Sequence, residues 1–226
     1  MLNCYYANVS ELCPPWDQYL ISKQRLAQIE RYAHTSDKAR SAGAELLLNY
    51  GLKQCFPEFL PPALFETGEH GKPFLKPDQP GIWLPDGKQV YYNLSHSGEY
   101  AACVISDSPT GVDIEKERKG IRPGVMRFLT DEEKQAVEQD ADPCSRFFDF
   151  WVLKESYMKA VGTGFSKPPS SFSIRLEDGC YQVYDQGVRQ DAAFYLFHLQ
   201  GGYHLAVCAE TGEEKEELSL EEYYGI

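Results

Sequence analysis

Apolar positions along the chain recur with two different periods, and the places where the period changes divide it into elements. Between residues 36 and 51, Ala39, Ala42, Leu46 and Tyr50 repeat at helical spacing, which predicts a helix capped by Ser36 and closed by Gly51. Residues 56 to 90 follow no period: FPEFLPPALF, GEHGKPFLKPDQPG and PDGK crowd Pro and Gly into a long irregular connection with room for short strands only. Connections of that length are usually functional or mobile. Strand-like runs follow at Tyr91 to Leu94, Tyr100 to Ser106 and Gly111 to Glu115, separated by SHSGE and SDSPT, and they read as antiparallel neighbours. Helical spacing returns near Pro123 to Phe128, over Asp131 to Gln139 with Thr130 as cap, and in a long aromatic stretch from about Pro143 to Val161 that ends at Gly162. Strands at Phe172 to Leu176, Cys180 to Tyr184, Ala192 to Leu199 and Tyr203 to Ala209 complete a second meander.

Each half thus holds helices followed by a hairpin-rich sheet, the signature of an α+β fold rather than of alternating βαβ units. YNLSHSGEYAACV, from Tyr92, can be laid on FHLQGGYHLAV, from Phe197, with a two-residue gap, a hint of duplication. The organisation read from this pattern is an N-terminal half over 1–108, a C-terminal half over 109–209 and a tail over 210–226.

Composition narrows the class. A chain of 226 residues with 42% apolar and 25% charged positions is an ordinary globular mixture. The longest apolar runs, Tyr100 to Ile105 and Ala192 to Phe197, are six residues each, against the roughly 20 needed to cross a bilayer. The N-terminus, MLNCYYANVSELCPPW, has no basic segment leading into an apolar one, so a cytoplasmic location is expected. Seven widely spread cysteines, never paired as C-x-x-C, read as buried thiols rather than a zinc site or a disulfide framework. A net charge of −12 speaks against a nucleic-acid partner. Seven acids against one lysine fall within residues 210–226, which reads as a solvated, acidic tail.

Candidate chemistry concentrates in a few stretches. On the strand GVDIE, side-chain alternation directs Val112 and Ile114 to the core and puts Asp113 and Glu115 together on the opposite side. Two carboxylates on one surface suit either a solvent-facing edge or a hard cation, which prefers carboxylate oxygens. In the helix FWVLKESYMKA, Phe147, Phe150, Leu153, Tyr157 and Ala160 form an apolar face while Trp151, Glu155 and Lys159 line up on the other. Glu155 and Lys159 are then either an i, i+4 surface pair or a third carboxylate beside a phosphate-binding cation. Asn93 to Ser97 lies at a strand end where Ser95 and His96 could donate to a phosphate; no G-x-S-x-G elbow accompanies them, which disfavours a catalytic serine. RYAHTSDKAR, residues 31 to 40, is locally basic in an acidic chain, and Lys72 adds a further donor.

Taken in order, GKP at Gly71, NLSHS at Asn93, GVDIE at Gly111 and W-x-x-K-E-S-x-x-K at Trp151 resemble the 4′-phosphopantetheinyl transferase superfamily, and the length resembles its Sfp-type, single-chain members. The resemblance implies two similar α+β halves related by a pseudo-twofold, with coenzyme A in the cleft between them. It implies Mg²⁺ held by Asp113, Glu115 and Glu155, and a phosphate contact from Lys159. Arg40, Lys72, Ser95 and His96 match coenzyme A contacts, with Arg31 and Lys38 placed by the same basic region. Glu133, in FLTDEE beside Glu132, falls where an acid would assist proton removal, a role Glu155 or a metal-bound water could fill instead. The implied reaction moves the phosphopantetheine arm of coenzyme A onto a serine of an apo acyl or peptidyl carrier protein and releases adenosine 3′,5′-bisphosphate, in a monomer with no nucleic acid or membrane partner. The competing reading is a non-catalytic module that binds coenzyme A or a carrier protein. A Mg²⁺-dependent phosphotransferase of another kind is a third, although no Walker P-loop is present.

Overall fold

The computed structural model describes residues 1–67, 73–84, 87–122, 124–210 and 217–225. The chain divides into two compact units, Met1–Pro109 with Glu217–Ile226, and Thr110–Glu216.

In the first unit, β1 (Leu2–Asn8) is followed by α1 (Lys23–Ile29) and α2 (Thr35–Cys55). A short hairpin, β2 (Phe65–Thr67) and β3 (Pro73–Leu75), interrupts the Pro-rich connection before β4 (Tyr91–Ser97) and β5 (Tyr100–Ser106). β1 and β4 flank β5, both antiparallel to it. Leu47, Leu48 and Leu52 of α2 are buried with Tyr5, Cys103 and Ile105 of the sheet. Several expectations change here. α2 runs past Gly51, and the glycine is no terminator: a Cβ there would stand 2.7 Å from the Tyr5 ring and 2.8 Å from Ile105 Cδ1, so its hydrogen lets the helix lie against the sheet. The strand Gly111 to Glu115 is not a neighbour of β5, because β1 already occupies that edge.

The C-terminal residues also differ from the solvated tail expected of their charge. β12 (Ser219–Glu222) pairs in parallel with β1, Asn3 opposite Ser219 and Tyr6 opposite Glu222. Two groups of contacts hold it there: Tyr223 N donates to Tyr6 O at 2.8 Å, and the Tyr223 ring stacks on Tyr50 with centroids 3.9 Å apart. Tyr50 and Tyr6 each donate to an acid of the strand, Glu221 and Glu222. Backbone pairing and aromatic contact fix this segment despite its acids.

The second unit repeats the plan. β6 (Thr110–Lys116) precedes α3 (Asp131–Gln139) and α4 (Pro143–Val161); then come β7 (Phe172–Glu177), β8 (Cys180–Asp185), β9 (Val188–Arg189), β10 (Ala192–Leu199) and β11 (Tyr203–Glu210). β6 and β10 flank β11, again antiparallel on both sides, and β7, β8 and β9 form a separate sheet. Residues Val125–Phe128 make only a single 3₁₀ turn where a helix was expected. In each unit a first strand pairs with the last strand of a hairpin, and a long helix comes between them in sequence. The hairpins β4/β5 and β10/β11 are the two stretches that resemble each other in sequence. The core under α4 joins Phe150, Leu153 and Tyr157 to Ile174, Phe194 and Ala206. All seven cysteines are free thiols, and among the described residues no helix is long and apolar enough to cross a membrane.

Gly111 sets the depth of α4 on β6. A Cβ at this position would lie 2.2 Å from Ser156 O and 2.5 Å from Ala160 N, both helix backbone atoms that cannot rotate away. Gly111→Ala is therefore expected to destabilise the protein by about 1–3 kcal/mol, the usual cost of overpacking, and chemical denaturation would register it as a lower midpoint at unchanged slope. An unchanged midpoint would mean that α4 can lift from the strand without loss.

Candidate active site

α4 is built to be held at both ends. Asp142 caps it, accepting from Cys144 N at 3.2 Å and Ser145 N at 3.1 Å, Pro143 occupies the first turn, and Gly162 at φ 78° closes it in the left-handed conformation. With the helix seated over Gly111, Lys159 Nζ donates to Asp113 Oδ1 at 2.7 Å and to Val112 O at 3.0 Å. The sequence put Asp113 and Glu115 on an outward surface, but α4 covers that face of β6, and Asp113 is 5% exposed. Val112 and Ile114, on the other face, are buried as well, so the strand has no solvent side at this point. The favourable alternation predicted from GVDIE is present; what covers each face could not be read from it.

Glu155 stands one turn before Lys159 and is half-buried. Burial first, and then the negative charges of Asp113 and Glu115, push its carboxyl up to about 7, against the opposing pull of Lys159. Its buried Oε1 has no hydrogen-bond partner among the described residues. A buried carboxylate oxygen without a donor, facing two more carboxylates, is a high-energy arrangement unless a proton or a cation compensates it. The chemistry of Asp113, Glu115 and Glu155, three carboxylates whose charges act on one another, fits a hard divalent cation.

Glu133 does not join them. It is 2% exposed, and both of its oxygens are engaged: Oε1 pairs with Lys154 Nζ at 2.9 Å and accepts from Ile174 N at 2.7 Å, while Oε2 accepts from Thr130 N at 2.8 Å to complete a capping box on α3. Lys154 is fully buried and spends its remaining donors on Pro169 O and Phe172 O at 2.8 and 2.7 Å. These contacts tie Glu133 to α3, α4 and β7, so it has a structural role whatever part it takes in the chemistry. Its neighbour Glu132 lies on the surface, paired with Arg175.

The basic candidates belong to the first unit. Arg40 pairs with Asp37 and donates through Nη1 to Gly98 O at 2.8 Å, which ties α2 to the turn between β4 and β5. That turn follows Ser95 and His96 directly; both lie within β4 rather than beyond its end, Ser95 buried and His96 exposed. Lys38 is partly exposed on α2 and Arg31 is exposed just after α1. Lys72 lies outside the described residues.

One feature escaped sequence reasoning. A cavity of about 180 Å³ is lined by Glu115 together with Ile121, Val125, Phe147, Phe148 and Trp151, and carries Arg118 and Arg122 on its wall. The signal available was the run ERKGIR, 117–122, immediately after the acidic strand.

Comparison with known proteins places the chain in a family. The profile of the 4′-phosphopantetheinyl transferase superfamily matches residues 109–208, and that of 4′-phosphopantetheinyl transferase, N-terminal, matches 16–108. The 4′-phosphopantetheinyl transferase gsp of Aneurinibacillus migulanus is 31% identical over 191 residues, 84% of this chain and 76% of that protein. Sfp of Bacillus subtilis is 29% identical over 206 residues, 90% and 88% of the two chains, and psf-1 of Bacillus pumilus 28% over 204 residues, 88% and 83%. Likeness of this extent, running through both units and through the strand and helix that carry the acids, means that the chain belongs to the 4′-phosphopantetheinyl transferase superfamily.

Proposed function

We propose that this protein transfers the 4′-phosphopantetheine arm of coenzyme A to a serine of an apo acyl or peptidyl carrier protein in a Mg²⁺-dependent reaction that releases adenosine 3′,5′-bisphosphate. The observation that carries the proposal is the convergence of Asp113, Glu115 and Glu155 beside Lys159, with a buried oxygen of Glu155 lacking a donor. Mg²⁺ bound by the three carboxylates would supply positive charge against the pyrophosphate. Lys159 brings a second cation to the same place, held by Asp113 and by a backbone carbonyl so that little reorganisation is needed as charge develops.

The serine Oγ forms a bond to the β-phosphorus as the bond from that phosphorus to the adenosine bisphosphate oxygen breaks. The proton of the hydroxyl goes to a carboxylate. Glu155, beside Asp113 and Lys159, is the carboxylate proposed to receive it, with Glu133 or a metal-bound water as the alternatives. Arg31, Lys38, Arg40, Lys72, Ser95 and His96 are the proposed contacts for coenzyme A. Carrier proteins are usually acidic and this chain carries −12, so docking should depend on apolar contact, of the kind offered by Ile121, Val125 and Trp151, with Arg118 and Arg122 as local positive charge.

Intact mass of an apo carrier protein incubated with this protein, coenzyme A and Mg²⁺ tests the reading. The expected result is a gain of one phosphopantetheine arm that disappears with EDTA. Coenzyme A binding without any gain across several carrier types would replace the transferase with a binding module.

A further inference from the structure

A second group of side chains of metal-ligating type lies in the same unit and takes no part in the chemistry above. His198 on β10 and His204 on β11 are directly opposite in the ladder, with rings 4.9 Å apart and nearly perpendicular. Both turn to Asp149 on α4: His198 Nε2 lies 2.7 Å and His204 Nδ1 2.8 Å from Asp149 Oδ1. These three ligand atoms all lie within 4.8 Å of one another.

We propose that Asp149 Oδ1, His198 Nε2 and His204 Nδ1 form a binding site for a transition-metal dication of the zinc, cobalt or nickel class, separate from the carboxylates Asp113, Glu115 and Glu155. Ligand chemistry separates the two sites. Imidazole nitrogen suits zinc-class ions, whereas an all-carboxylate set suits Mg²⁺. Two imidazoles and one carboxylate leave a position for water, the usual pattern of an open zinc site. The outer groups are also those such a site needs. His204 Nε2 faces Glu117 Oε2 at 3.4 Å, so the ring nitrogen turned away from the ion has a carboxylate to orient it. Glu117 is itself anchored, its backbone N donating to Gly202 O at 2.8 Å in the turn between β10 and β11. Arg146 Nη1, 3.7 Å from Asp149 Oδ2, holds the far oxygen of the carboxylate.

Exposure is graded in a useful way. His204 and Asp149 are 3% and 9% exposed and define the site, while His198, at 59%, gives an ion a way in. Metal–ligand bonds of about 2.0–2.1 Å set tetrahedral ligand atoms roughly 3.3 Å apart, so the contacts of 2.7 and 2.8 Å must open by about half an ångström; rotation of the exposed His198 ring and a small shift of Asp149 provide it.

The test uses the full chain, stripped with a chelator and kept in excess Mg²⁺ so that the carboxylate site is occupied. A Cys13→Ser background removes an exposed thiol that would compete. Zn²⁺ is titrated against a chromophoric chelator, and Co²⁺ binding is followed by its visible absorption. One equivalent of each ion should bind, and the surface change His198→Ala should weaken Zn²⁺ at least about tenfold, while Asp113→Asn leaves Zn²⁺ affinity unchanged. No binding, equal affinity in His198→Ala, or a loss in Asp113→Asn alone would each overturn the proposal.

Discussion

Lys154→Ala is expected to cost about 3–5 kcal/mol of stability, the range seen when one partner of a buried ion pair is removed. The size follows from what remains. Glu133, 2% exposed, would keep a charge that faces no cation, and Pro169 O and Phe172 O would each lose a donor. Burial already draws the Lys154 ammonium below its ordinary range, and Glu133 is the group that opposes this. The pair therefore ties α3, α4 and β7 together at one point. Denaturant titration measures the loss directly, and a change below about 1 kcal/mol would mean that the pair is broken or hydrated in solution. Glu133→Gln separates scaffold from chemistry. It should lower stability, yet transfer per folded molecule should stay close to that of the parent; a fall of about 10²–10⁴ in turnover with the fold intact is what loss of a general base would give. Replacing both partners by Met and Leu should recover part of the stability. Full recovery is not expected, because Ile174 N, which is buried, would still lack an acceptor, at about 1–3 kcal/mol, and the part-buried Thr130 N would lose its capping partner.

The parts legible in the sequence were those governed by local rules. Thr130 as cap, the span Pro143 to Val161 and the stop at Gly162 follow from capping chemistry and helical period, and α3 and α4 have those bounds. The strands of the second half follow from alternation and turn residues, and β7, β8, β10 and β11 lie where these placed them, within a residue or two at each end, but they do not form one meander: β7 and β8 pair with β9 in a sheet apart from β10, β11 and β6. What failed depended on partners distant in sequence. β1 passed unnoticed because its seven residues carry no turn signal before them, and with that edge of β5 apparently open, GVDIE was given the wrong neighbour. Gly51 looked like a helix stop because a missing Cβ has two uses, a left-handed cap and a close approach, and only the position of Tyr5 distinguishes them. SLEE looked like tail because its charge is local while its pairing with Asn3 to Tyr6 is not. In the site, alternation put Asp113 with Glu115 and helical spacing put Glu155 with Lys159, but only the family resemblance grouped the four. Glu133 has the same residue type and a compatible place in the chain, and only the structure reveals its contacts with Lys154, Ile174 and Thr130.

Asp113→Ala should reduce transfer by roughly 10³-fold or more, with the protein still folded. Two losses combine: one of the three carboxylates proposed to hold the cation disappears, and Lys159 loses the oxygen 2.7 Å away that fixes its ammonium. Groups placed to stabilise developing charge are worth about 10²–10³ in rate each. Asp113→Asn divides the two losses. The amide keeps an oxygen for Lys159 Nζ but carries no charge, so if the cation site is the function, Asn should be nearly as inactive as Ala, and added Mg²⁺ should restore neither. Activity in the Asn variant close to that of the parent would reduce Asp113 to an anchor for Lys159. Near-normal turnover of the Ala variant at saturating Mg²⁺ would remove it from the metal site altogether and leave Glu115 and Glu155 to carry the charge between them.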